Sequence, residues 1–466
     1  MGEISALGSG LQARIGSRSI GLKLIVVCGL ALLMMIPAAF VYGVLHDRTQ
    51  RAAQVVDDIS AQVGGRQTFL GPTLAIPYTV PPQSAGDSTK HGVYLVFPAQ
   101  ASAAVKTATE ERRRSLFKVP VFQADLNMGA TFDLAGVPAA APAGASFDWS
   151  HAELIVGVTD PRGALADATL TAGGKTITMA PAEAAPDLTI GANAGQQLHL
   201  TLFGAPADAV AKPNAQFSVN AALRFSGAQR IAMLAYGKTT HVTAQGEWPN
   251  PGFDGGFLPV SRSVAPSGYR AEWSVPFIAR GVRAEGPSDS IAGLDATALG
   301  VSFIEVADPY QSVDRSLKYV PLFLGLVFLS YFIFEVTAGR RVHPAQYLLV
   351  GVAQIVFYLL LLSLAERIGF DWGFLAAGGA TVALLSANAG WIFASRMQAF
   401  KALAIFAPLY ALIYMLLRLE DNALLVGAIA SFIVIAAAMY FTRSIDWYSS
   451  LPGPSQTASL PSEKTA

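Results

Sequence analysis

The chain has 466 residues, 32 basic and 32 acidic, and a formal net charge of zero. Hydrophobic residues make up 52% and charged residues only 14%, far below the roughly 25% charged residues of soluble domains. With a mean hydropathy of +0.43, this composition excludes an ordinary cytosolic enzyme and indicates a membrane protein. The balanced charge argues against nucleic acid as a partner. The single cysteine, Cys28, excludes an intramolecular disulfide.

The first apolar run extends from Leu24 to Leu45 and contains no charged residue. About 20 apolar residues cross the core of a bilayer, so we predict a transmembrane helix at 24–45. A cleaved signal peptide is the alternative, because "PAA" offers small residues. However, the apolar region of a signal peptide is usually only about 7 to 15 residues long. We therefore expect an uncleaved anchor with a kink at Pro37.

The large segment 46–318 follows this anchor. It begins with apolar residues at helical spacing over 52–63, which predicts that the first helix continues as an amphipathic stalk. Beyond the stalk the apolar period is two, and stretches such as "HGVYLVFPAQ", "AELIVGVTD" and "FSVNAALRFSG" predict short strands. "TLTAGGKTITM" predicts a hairpin that turns at Gly173 and Gly174. Two β subdomains are plausible, with a division near "APDLTIGANAGQQ".

Five further apolar runs are clustered in the C-terminal third, at about 319–338, 344–365, 372–394, 402–419 and 422–442. Lys and Arg are concentrated before the first run and between alternate later runs. Because short cytoplasmic loops carry an excess of these residues, we predict six spans with both termini in the cytoplasm. Residues 1–23 and 443–466 would be the cytoplasmic ends. The last part of the tail is rich in Pro and Ser and is predicted to be disordered.

The predicted fold is therefore an integral membrane protein. It has one N-terminal transmembrane helix, a large, mostly-β outer domain at 46–318, which is periplasmic if the source is a Gram-negative bacterium, and a C-terminal bundle of five transmembrane helices at 319–442. The lipid bilayer is its first partner.

Motifs that would carry catalysis or bind metals are missing from the sequence. It contains no His-Glu-x-x-His and no Gly-x-Ser-x-Gly, and its six histidines lack the spacing of metal ligands. We therefore predict no catalytic residue, no metal site, no cofactor and no enzymatic activity. A periplasmic hydrolase stays open as a minor alternative, because a catalytic triad is assembled in space rather than along the chain.

Polar residues within or beside the spans are the first candidates for function. Glu335 lies near the end of the second span, and Arg340, Arg341 and His343 follow it in "AGRRVHPAQ". We interpret this segment, with Gln346 just after it, as the tight cytoplasmic turn of a helical hairpin. Glu335 is then expected to lie near the headgroups and the arginine pair, and to anchor and orient the hairpin.

Gln354 lies nearer the middle of the third span, which makes it the best candidate for a hydrogen bond between helices. Gln354 and Glu335 together motivate an alternative function, the transport of a small solute or a lipid-related molecule through the helix cluster.

The most distinctive loop of the outer domain is "GEWPNPGFDGGFLP", residues 246–259. Its prolines and glycines predict a rigid, compact turn. Its aromatic residues Trp248, Phe253 and Phe257 either form a binding surface for a partner protein or glycan, or plug the end of the sheet. The charge run "EERRRS" at 110–115 either meets anionic lipid or is a solvated turn between strands.

Several long stretches together resemble one known family. "FLGPTLAIPY", "EWPNPGFDGGFLP", "FEVTAGRRVHPAQYLLVGVAQIVFYLLLLSLAE" and "TRSIDWY" are similar to the CreD family of inner membrane proteins, and the similarity covers nearly the whole chain. The resemblance implies a bacterial inner membrane protein under control of the Cre two-component system, with effects on colicin tolerance and the β-lactam response. It implies no catalytic residues.

The favoured function is thus a non-enzymatic role in cell envelope integrity and the envelope stress response. The periplasmic domain would carry this role by engaging envelope proteins or glycans.

Overall fold

The computed structural model describes residues 20–82, 88–114, 117–185, 187–190, 197–303, 309–338 and 342–418, and scattered positions between 425 and 443. The chain divides into two compact units. The helical unit comprises Met1–Arg51 and Ala307–Ala466, and the β unit comprises Ala52–Val306.

The helices are numbered in chain order. They are α1 (Ile20–Leu33), α2 (Met35–Val63), α3 (Phe277–Arg280), α4 (Pro309–Lys318), α5 (Val320–Ala338), α6 (Pro344–Ile368), α7 (Phe370–Phe393) and α8 (Arg396–Arg418).

Within the described residues, five helices are long and apolar enough to cross a membrane. They are Leu22–Val63, which combines α1 and α2, and the four helices α5 to α8. The first predicted span and the next four are confirmed as apolar helices, with ends shifted by a few residues. In the sixth predicted span, 422–442, the structure describes only scattered positions, which are helical but form no continuous described helix. The described part of the chain therefore contains five candidate spans rather than the predicted six.

The first span is interrupted at Met34, where α1 ends and α2 begins. Pro37 lies in the first turn of α2. Proline has no N–H, and its ring clashes with the carbonyl four residues earlier, here Leu33. The interruption therefore lies three residues before Pro37, the residue at which a kink was predicted.

In the helical unit, α6 packs against α7 and α7 against α8, while α1 packs against both α5 and α6. A short helix that the sequence analysis did not predict, α4, packs against α6 and α8. It is amphipathic: Val313 and Leu317 are buried, whereas Gln311 and Lys318 are exposed. The helical unit thus includes both the N-terminal span and a polar-faced helix that precedes the second span.

The β unit is built from nineteen described strands. They are β1 (Gln67–Val80), β2 (Lys90–Val96), β3 (Gln100–Arg114), β4 (Phe117–Asp133), β5 (Ser146–Phe147), β6 (Glu153–Val158), β7 (Thr169–Ala172), β8 (Lys175–Thr178), β9 (Ala180–Pro181), β10 (Asp187–Ile190), β11 (Leu198–Pro206), β12 (Gln216–Ala228), β13 (Arg230–Leu234), β14 (Thr239–Gly246), β15 (Pro251–Gly255), β16 (Ser261–Ala265), β17 (Gly268–Val275), β18 (Glu285–Pro287) and β19 (Ala298–Phe303).

These strands form two sheets. The eight-stranded sheet has the order β16-β17-β14-β3-β4-β12-β7-β8. The eleven-stranded sheet has the main order β10-β11-β6-β1-β13-β19-β15, and the short strands β2, β5, β9 and β18 pair beside it. Most neighbours are antiparallel; β1 with β13 and β3 with β14 are parallel.

The core lies between the two sheets, because side chains from both belong to one buried cluster. Phe69 on β1 contacts Phe225 on β12 edge to face, with ring centroids 5.4 Å apart. Tyr236, which follows β13, donates its hydroxyl to the carbonyl of Ser102 on β3 and to that of Gly129 on β4, at 2.7 and 2.9 Å. Buried and exposed residues alternate along strands such as β12, which is typical of packed antiparallel sheets.

The amphipathic stalk predicted at 52–63 is confirmed as the last part of α2. Its residues Ile59 and Val63 are buried against Val119 and Val121 of β4. The predicted Gly173–Gly174 hairpin is also confirmed, as β7 and β8.

The predicted compact turn at 246–259 is wrong in one part. Pro251–Gly255 forms β15, which pairs with β19 at the edge of the eleven-stranded sheet. Residues 110–114 of the charge run form the end of β3, which pairs with β4 in a long hairpin, Gln100 with Thr131 and Arg114 with Phe117. The stretch near which a division was suggested, 185–197, contains β10, and residues 186 and 191–196 of it lie outside the described residues.

Candidate functional site: a buried carboxylate in the helical unit

Glu335, the acidic residue among the candidates from the sequence, is deeply buried, with 1% of its surface exposed. It lies in the last turn of α5. Its Oε1 accepts hydrogen bonds from Lys23 Nζ and from the backbone N–H of Val342, the latter at 2.8 Å. Its Oε2 accepts the hydroxyl of Tyr347 at 2.9 Å. We call Lys23, Glu335, Val342 and Tyr347 the Glu335 cluster.

The cluster joins three helices and one turn. Lys23 belongs to α1, Glu335 to α5 and Tyr347 to α6, and Val342 lies in the turn between the last two. Lys23 Nζ also donates to the carbonyl of Val342 at 2.9 Å. Removing a carboxylate from water is costly unless a counter-charge and hydrogen bonds replace the lost hydration. Here both oxygens have such partners, so the arrangement acts as a clamp.

Tyrosine residues extend this polar region into the bundle. The rings of Tyr347 and Tyr331 lie 6.4 Å apart, centroid to centroid. Tyr331 donates its hydroxyl to the carbonyl of Leu385 on α7 at 2.7 Å and accepts the side-chain amide of Asn388 at 3.3 Å. These bonds tie α5 to α7 one turn away from Glu335. Hydrogen bonds between helices are a recognised source of stability in membranes.

Gln354 lies deeper in the same bundle and is 4% exposed. Its side chain hydrogen-bonds Tyr410 of α8, as its position near mid-span suggested. Ser386 is also buried, and within the described residues its hydroxyl has no hydrogen-bond partner.

A second buried carboxylate lies at the other end of the same helices. Glu366, near the end of α6, accepts the hydroxyl of Tyr310 at 2.9 Å and lies 3.8 Å from the guanidinium of Arg48. Lys23 and Arg48 are separated by about 37 Å along a helix, since each residue rises about 1.5 Å. A bilayer core is about 30 Å thick. The first span is thus held to the bundle by an ion pair at each end of its apolar run.

The remaining residues singled out near the hairpin play different parts. His343 caps the start of α6, where its Nδ1 accepts the backbone N–H of Ala345 at 3.2 Å. Gln346 is half-buried in the first turn of α6. Arg340 and Arg341 lie outside the described residues, so the expected contact of Glu335 with the arginine pair has no description in the structure.

The aromatic residues of the 246–259 segment lie against the core of the β unit. Trp248 contacts Phe303 edge to face at 6.2 Å, and Phe253 contacts Trp273 at 6.0 Å. Trp273 donates its ring N–H to the carbonyl of Phe257 at 3.1 Å. All three residues of the segment are partly buried in these contacts. Their arrangement favours a packing role over an exposed binding surface.

The β unit also brings together an aspartate, a serine and a histidine, in a cleft of about 980 Å³. Asp148 accepts from Ser150 Oγ at 2.5 Å and lies 2.8 Å from His151 Nδ1. These bonds, first from Ser150 and then from His151, lower the pKa of Asp148. In a catalytic triad the imidazole stands between the acid and the serine. Here the serine contacts the acid directly, on an exposed turn, so the geometry is that of a cap.

No group of three or more potential metal ligands occurs among the described residues. Lys23 and Tyr347 are the partners of Glu335 that sequence reasoning missed as functional residues. One signal could have found Lys23: it directly precedes the apolar run of the first span, and the predicted topology places that end on the same side of the membrane as Glu335.

A β unit placed in the sequence between the first and second of several apolar helices, with ion pairs fastening the first helix to the others, defines a multi-pass membrane protein. The chain belongs to the CreD family: residues 19–448 match the family model described as "Inner membrane protein CreD". It is similar to the Inner membrane protein CreD of Escherichia coli (strain K12), with 30% identity over 443 residues, 92% of this chain and 94% of that protein. The resemblance found in the sequence is thereby confirmed.

Proposed function

We propose that this inner membrane protein is non-enzymatic and supports cell envelope integrity and the envelope stress response, including colicin tolerance and the β-lactam response. The observation that carries the proposal is the compact β unit Ala52–Val306, which makes up more than half of the chain. A folded unit of this size between two spans suits the recognition of envelope proteins or glycans.

The proposed topology has six spans, the sixth at 422–442, with both termini in the cytoplasm and the β unit in the periplasm. The distribution of Lys and Arg supports it. The described positions between 425 and 440 are helical.

A single natural cysteine makes this topology directly testable. In a Cys28→Ser background, Lys175→Cys places a thiol at an exposed position directly after the turn of a hairpin in the β unit, and Ser455→Cys places one in the C-terminal tail. A membrane-impermeant maleimide is expected to label the first variant in intact spheroplasts and the second only after lysis. Labelling of Ser455→Cys in intact spheroplasts would overturn the topology.

The function itself is tested by deleting the gene and by photo-crosslinking the full-length protein through residues on the surface of the β unit. Specific envelope partners and altered sensitivity to colicins and β-lactams are the expected results. Capture of no partner, together with unchanged sensitivity in the deletion strain, would contradict the proposal.

The alternative, solute transport through the helix bundle, predicts that Glu335 and Gln354 act on a substrate. Both side chains instead have protein partners from neighbouring helices, which supports a structural role. If the Glu335→Gln and Gln354→Ala variants fully rescue the phenotype of a deletion strain, that result would count against transport. Loss of function in Glu335→Gln, with normal insertion and abundance, would favour it.

A further inference from the structure

A small pocket lies in the helical unit where the first span leaves its apolar run. Its volume is about 320 Å³, and α2 and α4 form its walls. The residues that line it are Tyr42, Leu45, His46, Thr49, Tyr310, Gln311 and Asp314. We call it the Tyr42 pocket. Neither the sequence motifs nor the proposed function uses it.

The level of the pocket relative to the membrane follows from the sequence of the span. Leu45 is the last residue of the apolar run that begins at Leu24, and it is a buried lining residue of the pocket. The next residues, His46 to Thr49, are polar or charged. Tyrosines are enriched at this level, where their rings reach the headgroup region. Tyr42 and Tyr310 are therefore placed to meet the polar part of a lipid.

The charge of the pocket is negative. Asp314 is the one side chain with a full charge at neutral pH among the described residues that line it. In this structure its carboxylate already binds an ammonium group, that of Lys318, at 2.9 Å. The hydrogen bond to Asp314 raises the pKa of Lys318, and Tyr42 makes a smaller contribution in the same direction. A primary ammonium is thus stabilised beside Asp314 and Tyr42.

A second carboxylate, that of the Arg48–Glu366 ion pair, lies behind the pocket. Tyr310 donates its hydroxyl to Glu366 at 2.9 Å. Arg48, the cation facing Glu366, is 3.8 Å away, beyond hydrogen-bonding distance, and its side chain is 45% exposed. Tyrosine rings additionally attract cations through their negative faces.

We propose that the Tyr42 pocket binds the primary ammonium of an amine phospholipid headgroup. Asp314 and the two tyrosines would hold the ammonium, and Lys318, which is 66% exposed, would swing away to release the carboxylate. The same chemistry could be supplied by a free amine, so the test separates the two sources.

The test uses the full-length protein extracted into detergent with an equimolar mixture of phosphatidylethanolamine, phosphatidylcholine and phosphatidylglycerol. Native mass spectrometry measures which lipid is retained. We expect phosphatidylethanolamine to be retained over the other two. Asp314→Asn should reduce its retention about tenfold, the size expected for one charge-assisted hydrogen bond. Tyr42→Leu should reduce it by a smaller factor.

Two further variants sharpen the result. Asp47→Asn removes an exposed carboxylate of α2 that does not line the pocket, and it should leave retention unchanged. Lys318→Gln frees Asp314 and should increase retention. If Lys318 instead served as a donor to a lipid phosphate, this variant would reduce retention and overturn the proposal.

Equal retention of the three lipids, or wild-type retention by Asp314→Asn, would also overturn it. Free ethanolamine provides the remaining arm. Should ethanolamine bind in a way that depends on Asp314 while phosphatidylethanolamine is not retained, the lipid source is wrong and a soluble amine takes its place. Displacement of retained lipid only by high ethanolamine supports the lipid.

Discussion

The two units of this protein hold a buried charge in different ways. In the helical unit, Glu335 is bound by side chains from two other helices and by the backbone of a turn. In the β unit, Arg280 is 3% exposed, and its guanidinium donates to the carbonyl of Ala235 at 2.7 Å and lies 4.3 Å from the ring centre of Phe97. Burial lowers the pKa of Arg280 to about 10.

The difference follows from where the backbone hydrogen bonds go. In a helix they are internal, so they contribute nothing to the contact between one helix and the next. In a sheet they join neighbouring strands, and the register of one strand on another is already determined by the ladder. A buried charge in the β unit can therefore be held by a nearby backbone carbonyl and an aromatic ring, without a counter-charge. In the helical unit it becomes one of the few specific connections between elements.

The largest expected effect tests the statement that packing of the core stabilises the β unit. Phe69 is fully buried between the sheets, and Phe69→Ala should reduce the free energy of unfolding by about 4 kcal/mol, since it removes a large side chain and leaves a cavity. Hydrogen exchange of β1, β6 and β13 in the detergent-solubilised chain measures the loss.

Phe277→Ala is its control, because that ring is 47% exposed and its removal should cost less than about 0.5 kcal/mol. Similar losses in both variants would mean that the core between the sheets does not dominate the stability of this unit.

The next effect tests the clamp in the helical unit. Glu335→Met leaves the Lys23 ammonium without its counter-ion and should cost about 3 kcal/mol. In the double variant Lys23→Met with Glu335→Met, neither charge remains, and part of that loss should be recovered. Thermal unfolding in detergent, followed for both single variants and the double variant, measures the coupling. Strictly additive losses would show that the two side chains stabilise the bundle independently.

The smallest effect concerns a half-buried ion pair of the β unit. Burial raises the pKa of Asp254, but hydrogen bonds from Arg230 and Ser302 outweigh this, so its pKa is lowered overall. The unfolded chain then binds a proton more readily, at a pKa of about 3.9. The stabilisation is complete above that value and is lost as the pH falls towards the lower folded pKa.

Asp254→Asn should therefore flatten the acid limb of stability against pH without altering its slope near neutrality. Urea unfolding at a series of acidic pH values measures this slope. Asp208→Asn, at an exposed carboxylate, is the matched control. An unchanged acid limb in Asp254→Asn would show that this ion pair does not contribute to the stability of the β unit.

Several elements were predictable because the local pattern alone specifies them. The apolar runs of α5 to α8 exceed the thickness of a bilayer core, and no other environment suits them. Strand β12 alternates buried and exposed residues along most of its length, which is the signature of a strand with one face on a core.

Other elements escaped prediction for physical reasons. The first ten residues of β1 are all buried, so the alternation that marks a strand is missing. β15 contains Pro and Gly, which normally indicate a turn, and it is a strand only because β19 offers a partner at the sheet edge. α4 is too short and too polar to be recognised as part of the helical unit.

The sequence by itself determined the class of this protein, its apolar spans, its β-rich middle region and its family, because these depend on composition, period and length. It also drew attention to Glu335. Only the tertiary structure decided what Glu335 does, since its partners Lys23 and Tyr347 lie 312 and 12 residues away along the chain. A carboxylate near the end of an apolar helix can face headgroups, a substrate or a lysine. The difference depends on which helices pack together, and no local pattern records that.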